Sequence, residues 1–254
     1  MFTNAIVRTP GRSIVEGLSN SKTLGLPNYK QAIIQHQSYI DALTKCGLDV
    51  HVLEPCEEYP DSTFVEDVAL ITPNCAIITR PGAPSRRGEV YDIEFVLKQR
   101  FNNIEVIDAP GTIEGGDIMM VGDHYFIGLS ERTNLEGARQ IIKILKKYDM
   151  SGSTISLKKV LHLKTGLSYL EKNNLVVCGE FINDSCFEKY NQIEIPENES
   201  YAANCIWVNE SVIIPLGYPT VKQRIMNAGY TVIETDVSEF EKLDGGLSCL
   251  SLRY

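Results

Sequence analysis

Apolar residues along this chain follow two periods that take turns. Across residues 28–46, Ala32, Ile33, Ile40, Leu43 and Cys46 recur at three- and four-residue spacing behind Pro27, which predicts an amphipathic helix stopped by Gly47. Residues 48–53 then alternate, with Leu48, Val50 and Val52 on one side, which predicts a strand. Downstream, short apolar runs come in pairs around turn residues. Residues 68–71 and 76–79 flank Pro73-Asn74, and residues 118–121 and 125–128 flank Gly122-Asp123. Residues 167–170 and 175–178 flank Asn173-Asn174, and residues 205–208 and 211–214 flank Asn209-Glu210. Each pair predicts a hairpin. Helical patterns at 89–100, 134–148 and 221–228 follow several of them, with strands at 105–107 and 231–233.

The repeating unit is therefore hairpin, helix, strand. At about 50 residues per unit a chain of 254 residues holds about five, a period at which repeated sheets arrange radially or stack. A ring stands beside a layered sheet as the expected architecture. The run at residues 5–8 lacks a nearby partner, and pairing it with residues 247–252 would close a ring. A doubly wound parallel sheet fits paired short strands poorly, because it separates every strand by a helix. With no internal linker, residues 1–254 are expected to form one domain.

Composition narrows the function. Hydrophobic residues make up 43%, enough for a substantial core. The longest apolar runs, such as 118–121 and 212–216, fall far short of the roughly 18 residues of a spanning helix. The first residues lack a secretory pattern, so the expected location is the cytoplasm. Lys and Arg number 24 against 33 acids, a net charge of −9, which is the wrong sign for gripping nucleic acid and suits a cationic small molecule. Seven cysteines with no Cys-x-x-Cys pair predict neither a disulfide framework nor a structural zinc site, and most are expected to be buried packing residues.

Several segments could carry chemistry. Leu243-Asp244-Gly245-Gly246-Leu247-Ser248-Cys249 sets two glycines just before a thiol, a context that by itself favours an inert buried cysteine over a nucleophile. A cysteine nucleophile needs a nearby imidazole. Of the four histidines, His36 and His124 fall on solvent-facing positions of their patterns and His51 lies in a strand, which leaves His162. Phe64-Val65-Glu66-Asp67 and Glu114-Gly115-Gly116-Asp117 open two hairpins at equivalent places, so a radial fold would gather their carboxylates at the axis, where a guanidinium matches them. Turn chemistry explains the same residues. Arg86 and Arg132 sit in segments leading from a hairpin into a helix and could clamp an anionic group or lie on a solvated surface. Acids and arginines together suggest a zwitterion.

Four segments, FVEDVALITPNCAIITRPGAPSRRGE, IEGGDIMMVGDHYFIGLSERTN, LHLKTGLSYLE and DGGLSCLSLRY, resemble the bacterial dimethylarginine dimethylaminohydrolases over essentially the whole chain. That family belongs to the guanidine-modifying penteins, so the resemblance implies a five-bladed α/β propeller of ββαβ modules around a central substrate pocket. It implies Cys249 as nucleophile, His162 as general acid and base, and Glu114 as the carboxylate that orients the imidazole. Glu66 and Asp67 match guanidinium-side acids, Asp61 the same binding segment, and Arg86 with Arg132 the receivers of an α-carboxylate. The carbonyls of Leu18 and Leu243 match holders of the α-amino group, and Phe64 an apolar wall. The implied reaction releases L-citrulline through a covalent thiouronium with no metal or organic cofactor, and positioned cations would lower the thiol pKa. Related deiminases carry His-x-Asp where this chain has Lys164, a departure that favours methylated arginine. The alternatives are an arginine deiminase-like hydrolase that releases ammonia and a catalytically inactive propeller that only binds. Zinc is expected only as an occupant of the Cys249–His162 pair, and a homodimer is implied by the resemblance alone.

Overall fold

The computed structural model describes residues 1–20 and 23–254. From the N-terminus, β1 (Asn4–Arg8) leads into α1 (Tyr29–Lys45) and returns as β2 (Asp49–Leu53), parallel to β1 with Ala5 opposite Val50. The next module is β3 (Ala69–Ile71), β4 (Ala76–Ile78), α2 (Val90–Lys98) and β5 (Ile104–Val106). A third follows with β6 (Ile118–Val121), β7 (His124–Leu129), α3 (Leu135–Lys147) and β8 (Ser151–Ser156). In the fourth, β9 (Leu167–Tyr169), β10 (Asn174–Val177) and β11 (Asn191–Glu194), two 3-10 turns take the place of the helix. The fifth holds β12 (Ile206–Val208), β13 (Ser211–Pro215), α4 (Pro219–Asn227) and β14 (Thr231–Thr235). After α5 (Ser238–Glu241), β15 (Leu252–Arg253) returns antiparallel to β1 and joins the two ends of the chain in one sheet.

Among the described residues this gives five three-stranded sheets of one topology. A hairpin strand lies antiparallel to the central strand, and the strand on its other side is parallel to it, as with β6 and β8 beside β7. Parallel neighbours need a crossover, which the helices supply. Their ends are set locally. Asn28 caps α1 by accepting from the Gln31 N–H at 3.2 Å, and Gly47, at φ +90°, ends it.

Five apolar clusters close the ring, because each is shared by two adjacent blades. Ile6 and Leu252 meet Ala76 and Ile78; Ile77 meets Ile127; Phe126 meets Val177; Val176 meets Ile214; Ile213 meets Ala5 and Val7. The last contact returns to the first blade, so the chain is a five-bladed α/β propeller and not a layered sheet. Each fully buried Ile or Leu contributes about 1.5–3 kcal/mol to this seam.

Two expectations need correction, and two strands had no signal in the sequence. The terminal strand is confined to Leu252–Arg253, because Ser248–Leu250 coils into a 3-10 turn. β8 and β11 carry no apolar alternation: in SGSTIS only Ile155 is buried, and NQIE buries no residue fully, as suits strands at the rim of a blade. His36 is not solvent-facing but 2% exposed on the inner face of α1, 6.5 Å from the Phe240 ring in α5. His51 is exposed in β2, and His124 is half-buried between Ser151 and Ser153.

One local device recurs. Each module enters its first inner strand from a 3-10 turn: Val65–Val68, Gly115–Asp117, Leu163–Thr165, Glu197–Ala203 and Ser248–Leu250. A ring of five modules turns that repeated position into a ring of turns around the axis.

Candidate active site

These turns supply Asp67, Glu114, His162 and Cys249. Glu114 and His162 sit just ahead of their turns on extended backbone, at φ −117° and −132°. Gly116 lets the turns approach: a Cβ there would stand 2.8 Å from His162 Nδ1 and 3.0 Å from Asp67 Oδ1. Its N–H donates to Asp67 Oδ1 at 2.9 Å. Turn chemistry alone gives Gly116 no such role, and a Gly-Gly pair opening a hairpin was its sole signal in the sequence.

His162 Nε2 lies 2.8 Å from Glu114 Oε2, and Glu114 is 1% exposed. Burial by itself would strip the imidazole of its proton. The Glu114 hydrogen bond and the charges of Asp67, Asp117 and Glu114 outweigh burial and raise His162 to about 9. Cys249 lines the same cleft as His162, Glu114, Asp67 and Phe64. Its sulfur accepts from the Gly246 N–H at 3.5 Å. Burial pushes the thiol up to about 12, with Asp67 and Glu66 adding to the rise and the Gly246 N–H and Lys164 opposing it. The cation that acts on it, Lys164, is thus outweighed by burial and the two acids in the free protein, so the thiol stands above its ordinary value, contrary to the sequence expectation. The resting pair is a neutral thiol and an imidazolium lining one cleft.

The two arginines are not equivalent. Arg86 is buried, donating Nη1 to Asp67 at 2.5 Å, Nε and Nη2 to Glu89 at 3.0 and 2.8 Å, and Nη2 also to the carbonyls of Asp61 and Phe64. Burial opposes the charge on Asp67, yet Arg86 and His162 hold its carboxyl below the usual range. Glu89, which sequence reasoning missed, has only its three-residue spacing from Arg86 as a signal; burial raises it to about 7 against the pull of Arg86. Arg132 keeps 20% of its side chain exposed, with Nη1 3.9 Å from Glu114 Oε1, and is the more open cation of the cleft. Asp61 accepts from the Leu18 N–H at 2.9 Å, and Leu18 and Leu243 both line the cleft. Phe64 packs edge-on to Phe240, and a Cβ on Gly245 would lie 2.2 Å from its ring. Tyr39 of α1 donates to the Leu247 carbonyl at 2.9 Å and fixes the segment that carries the thiol.

Glu66 does not accompany Asp67. It lines a second cavity with Lys164, Ser248 and Arg253, none of which lines the first. There it pairs with Lys164 Nζ at 2.5 Å and accepts from Ser248 Oγ at 2.8 Å. Neighbouring residues in a 3-10 turn point about a third of a revolution apart, so Glu66 and Asp67, like Ser248 and Cys249, face opposite cavities. Asp67, Glu114 and His162 bring ligand atoms within 4.8 Å of one another. A metal ion there would have to displace the His162–Glu114 bond and the Arg86–Asp67 pair.

The description N,N dimethylarginine dimethylhydrolase, eukaryotic, belongs to a family model that matches residues 22–251. The chain is 59% identical to the N(G),N(G)-dimethylarginine dimethylaminohydrolase of Pseudomonas aeruginosa, covering 100% of both. It is 31% identical to the Streptomyces coelicolor protein of the same name, covering 98% of this chain and 96% of that one. Among solved structures, a cysteine-to-serine variant of the P. aeruginosa protein complexed with citrulline matches at TM-score 0.99 and 58% identity over 100% of both chains. The N-terminal domain of ArgZ, a cyanobacterial arginine dihydrolase, matches at TM-score 0.90 and 21% identity over 100% of this chain and 97% of that one, which shows a shared fold. A family match over most of the length and full-length relatives on the same propeller place this chain in the dimethylarginine dimethylaminohydrolase family.

Proposed function

We propose that this chain hydrolyses Nω-methylated L-arginine, both asymmetric dimethylarginine and monomethylarginine, to L-citrulline and dimethylamine or methylamine. The observation that carries the reading is one cleft lined by Cys249, the bonded His162–Glu114 pair and Asp67. Asp67 holds the planar guanidinium and Arg132 takes the α-carboxylate, with the carbonyls of Leu18 and Leu243 toward the α-amino group. A guanidinium carbon is a poor electrophile, and a fixed cation beside Cys249 supplies what the free thiol lacks, a charge that favours thiolate.

With the cation bound, the Cys249 thiol releases its proton to solvent, and the thiolate adds to the guanidinium carbon. His162, protonated at neutral pH, gives its proton to the departing alkylamine as the carbon–nitrogen bond breaks, leaving a thiouronium on Cys249. Neutral His162 then takes a proton from water as its oxygen attacks, and the carbon–sulfur bond breaks to release citrulline and the thiol. These steps use side chains alone. The chain acts in the cytoplasm in this reading, where its cysteines stay reduced.

The test is product analysis with asymmetric dimethylarginine and with arginine. Citrulline and dimethylamine from the first, with little ammonia from the second, support the reading; the reverse preference replaces it with arginine deimination. Cys249→Ser should abolish turnover, at least 10⁴-fold, while dimethylarginine still binds by calorimetry. Turnover retained in that variant would remove the covalent route.

A further inference from the structure

Asp117 closes the Glu114-Gly115-Gly116-Asp117 segment, yet it does more than shape a turn. It is 0% exposed, and its partners are neutral donors. Oδ1 accepts from the backbone N–H of Leu163, the residue after His162, at 3.0 Å. Oδ2 accepts from Ser130 Oγ at 2.6 Å. Ser130 Oγ in turn accepts from the N–H groups of Arg132 at 3.0 Å and Thr133 at 3.1 Å. Thr133 Oγ1 accepts from the Glu114 N–H at 3.2 Å. One buried carboxylate thus ties together the segments that carry the imidazole, its carboxylate partner and the open arginine. A turn alone gains nothing from a buried charge, which costs stability unless something uses it.

We infer that Asp117 is a positioning residue that sets both ends of the substrate site through two branches: through Leu163 it fixes His162, and through Ser130 it fixes Arg132. This rests on the reading of the cleft given above. The first branch governs chemistry, because His162 must keep its bond to Glu114 while it moves protons. The second governs binding, because Arg132 reaches the cleft from a loop whose N–H groups end on Ser130. His162 is faced by Glu114, Asp67 and Asp117, with Cys249 in the same cleft and the cations Arg86 and Arg132 beside these acids. Removing the charge of Asp117 therefore leaves two acids in place and weakens the imidazolium only in part.

Each branch can be cut by itself. Ser130→Ala removes the hydroxyl and leaves the Leu163 bond, so KM for dimethylarginine should rise about 10-fold with kcat within about twofold. Ser130→Thr keeps the hydroxyl and should restore KM. Asp117→Asn can still accept from Leu163, but its amide donors meet an oxygen that already accepts two N–H groups, and the charge is gone. Its kcat should fall about 10-fold or more, and the basic limb of its kcat–pH profile should move to lower pH. The His162 ring signals, followed by NMR titration, report the same downward shift without turnover, so this branch is decided even if dimethylarginine is not the substrate. Folding is checked by thermal melts. If Asp117→Asn does not fold, the Ser130→Ala and Ser130→Thr pair decides by KM. Lowered Tm with unchanged KM in Ser130→Ala, or an unmoved His162 titration in Asp117→Asn, marks a merely structural turn and overturns the inference. A parent that releases no citrulline defeats the substrate reading instead.

Discussion

His36 is buried and His162 keeps 13% of its side chain exposed in the cleft, and the same fold holds the two in opposite protonation states. His36 lies on α1 against Phe240, and among the described residues its Nε2 has no hydrogen-bond partner. Burial lowers it to about 4, so it is neutral in the folded protein. His162 is also withdrawn from water, yet it stands at about 9. Burial penalises the charged form in both places. At the axis, three acids from neighbouring turns reverse the outcome, because low dielectric strengthens their attraction as well as the desolvation penalty. Burial thus favours the neutral ring everywhere but does not decide the outcome alone; the propeller decides it by which turns it brings together.

The strongest way to break that comparison is to remove the hydrogen-bonded acid. In Glu114→Gln, His162 keeps Asp67 and Asp117 but loses its closest anion. Its pKa should fall from about 9, and kcat should drop by roughly 100- to 1000-fold as the ring loses orientation and proton affinity. The check is the kcat–pH profile. Because His162 donates a proton to the leaving amine, the parent should lose activity as pH rises through about 9, and the variant at lower pH. A basic limb that stays put would mean that Glu114 is not what separates the two histidines.

Most of this was legible in the chain, though unevenly. The hairpins showed because their apolar residues alternate beside Asn and Gly turns, and the five-unit period followed from counting them. The strands β8 and β11 did not show, because rim strands bury too little to impose a pattern. Cys249, His162 and Glu114 stood out through motif resemblance, and they do share a cleft. The opposite facing of Glu66 and Asp67 was not legible, since adjacency in sequence says nothing of the direction in which each residue of a 3-10 turn projects. His36 was misread for a related reason: the face of α1 covered by α5 is set by a segment about 200 residues away, with Gln35 accepting from the Glu239 N–H at 2.9 Å.

A second test reads the two histidines through stability. Below about 6.5 the unfolded chain protonates His36 while the folded one resists until about 4, so the unfolded state binds more protons and stability falls as pH drops through that window. The loss reaches about 2 kcal/mol by pH 5. His36→Leu should remove this sensitivity, seen as a smaller difference between urea unfolding free energies at pH 7 and pH 5. His162 has the opposite sign. Its raised pKa adds stability that is fully present below about 6.5 and lost as pH rises through about 9, so His162→Gln should flatten the alkaline side and leave the acid side alone. If both variants changed the same side, the assignment of opposite states would fail.

The smallest effect should come from His124, whose surroundings lie between the two. Its ring nitrogens reach Ser151 Oγ and Ser153 Oγ, each at 2.8 Å, and burial together with Lys189 lowers its pKa. Water still reaches the half-buried ring, so both the desolvation and the charge effect are screened. His124→Ala should cost about 0.5–1 kcal/mol through its hydrogen bonds, and its stability–pH curve should be only slightly flatter than the parent's on the acid side, where the lowered pKa makes the unfolded chain bind more protons. The discriminating quantity is slope, measured by the same urea unfolding between pH 5 and 7. An acid-side gain as large as that of His36→Leu would show that partial withdrawal from water is enough to set the proton's preference, and the contrast between α1 and the axis would then owe less to the gathered acids.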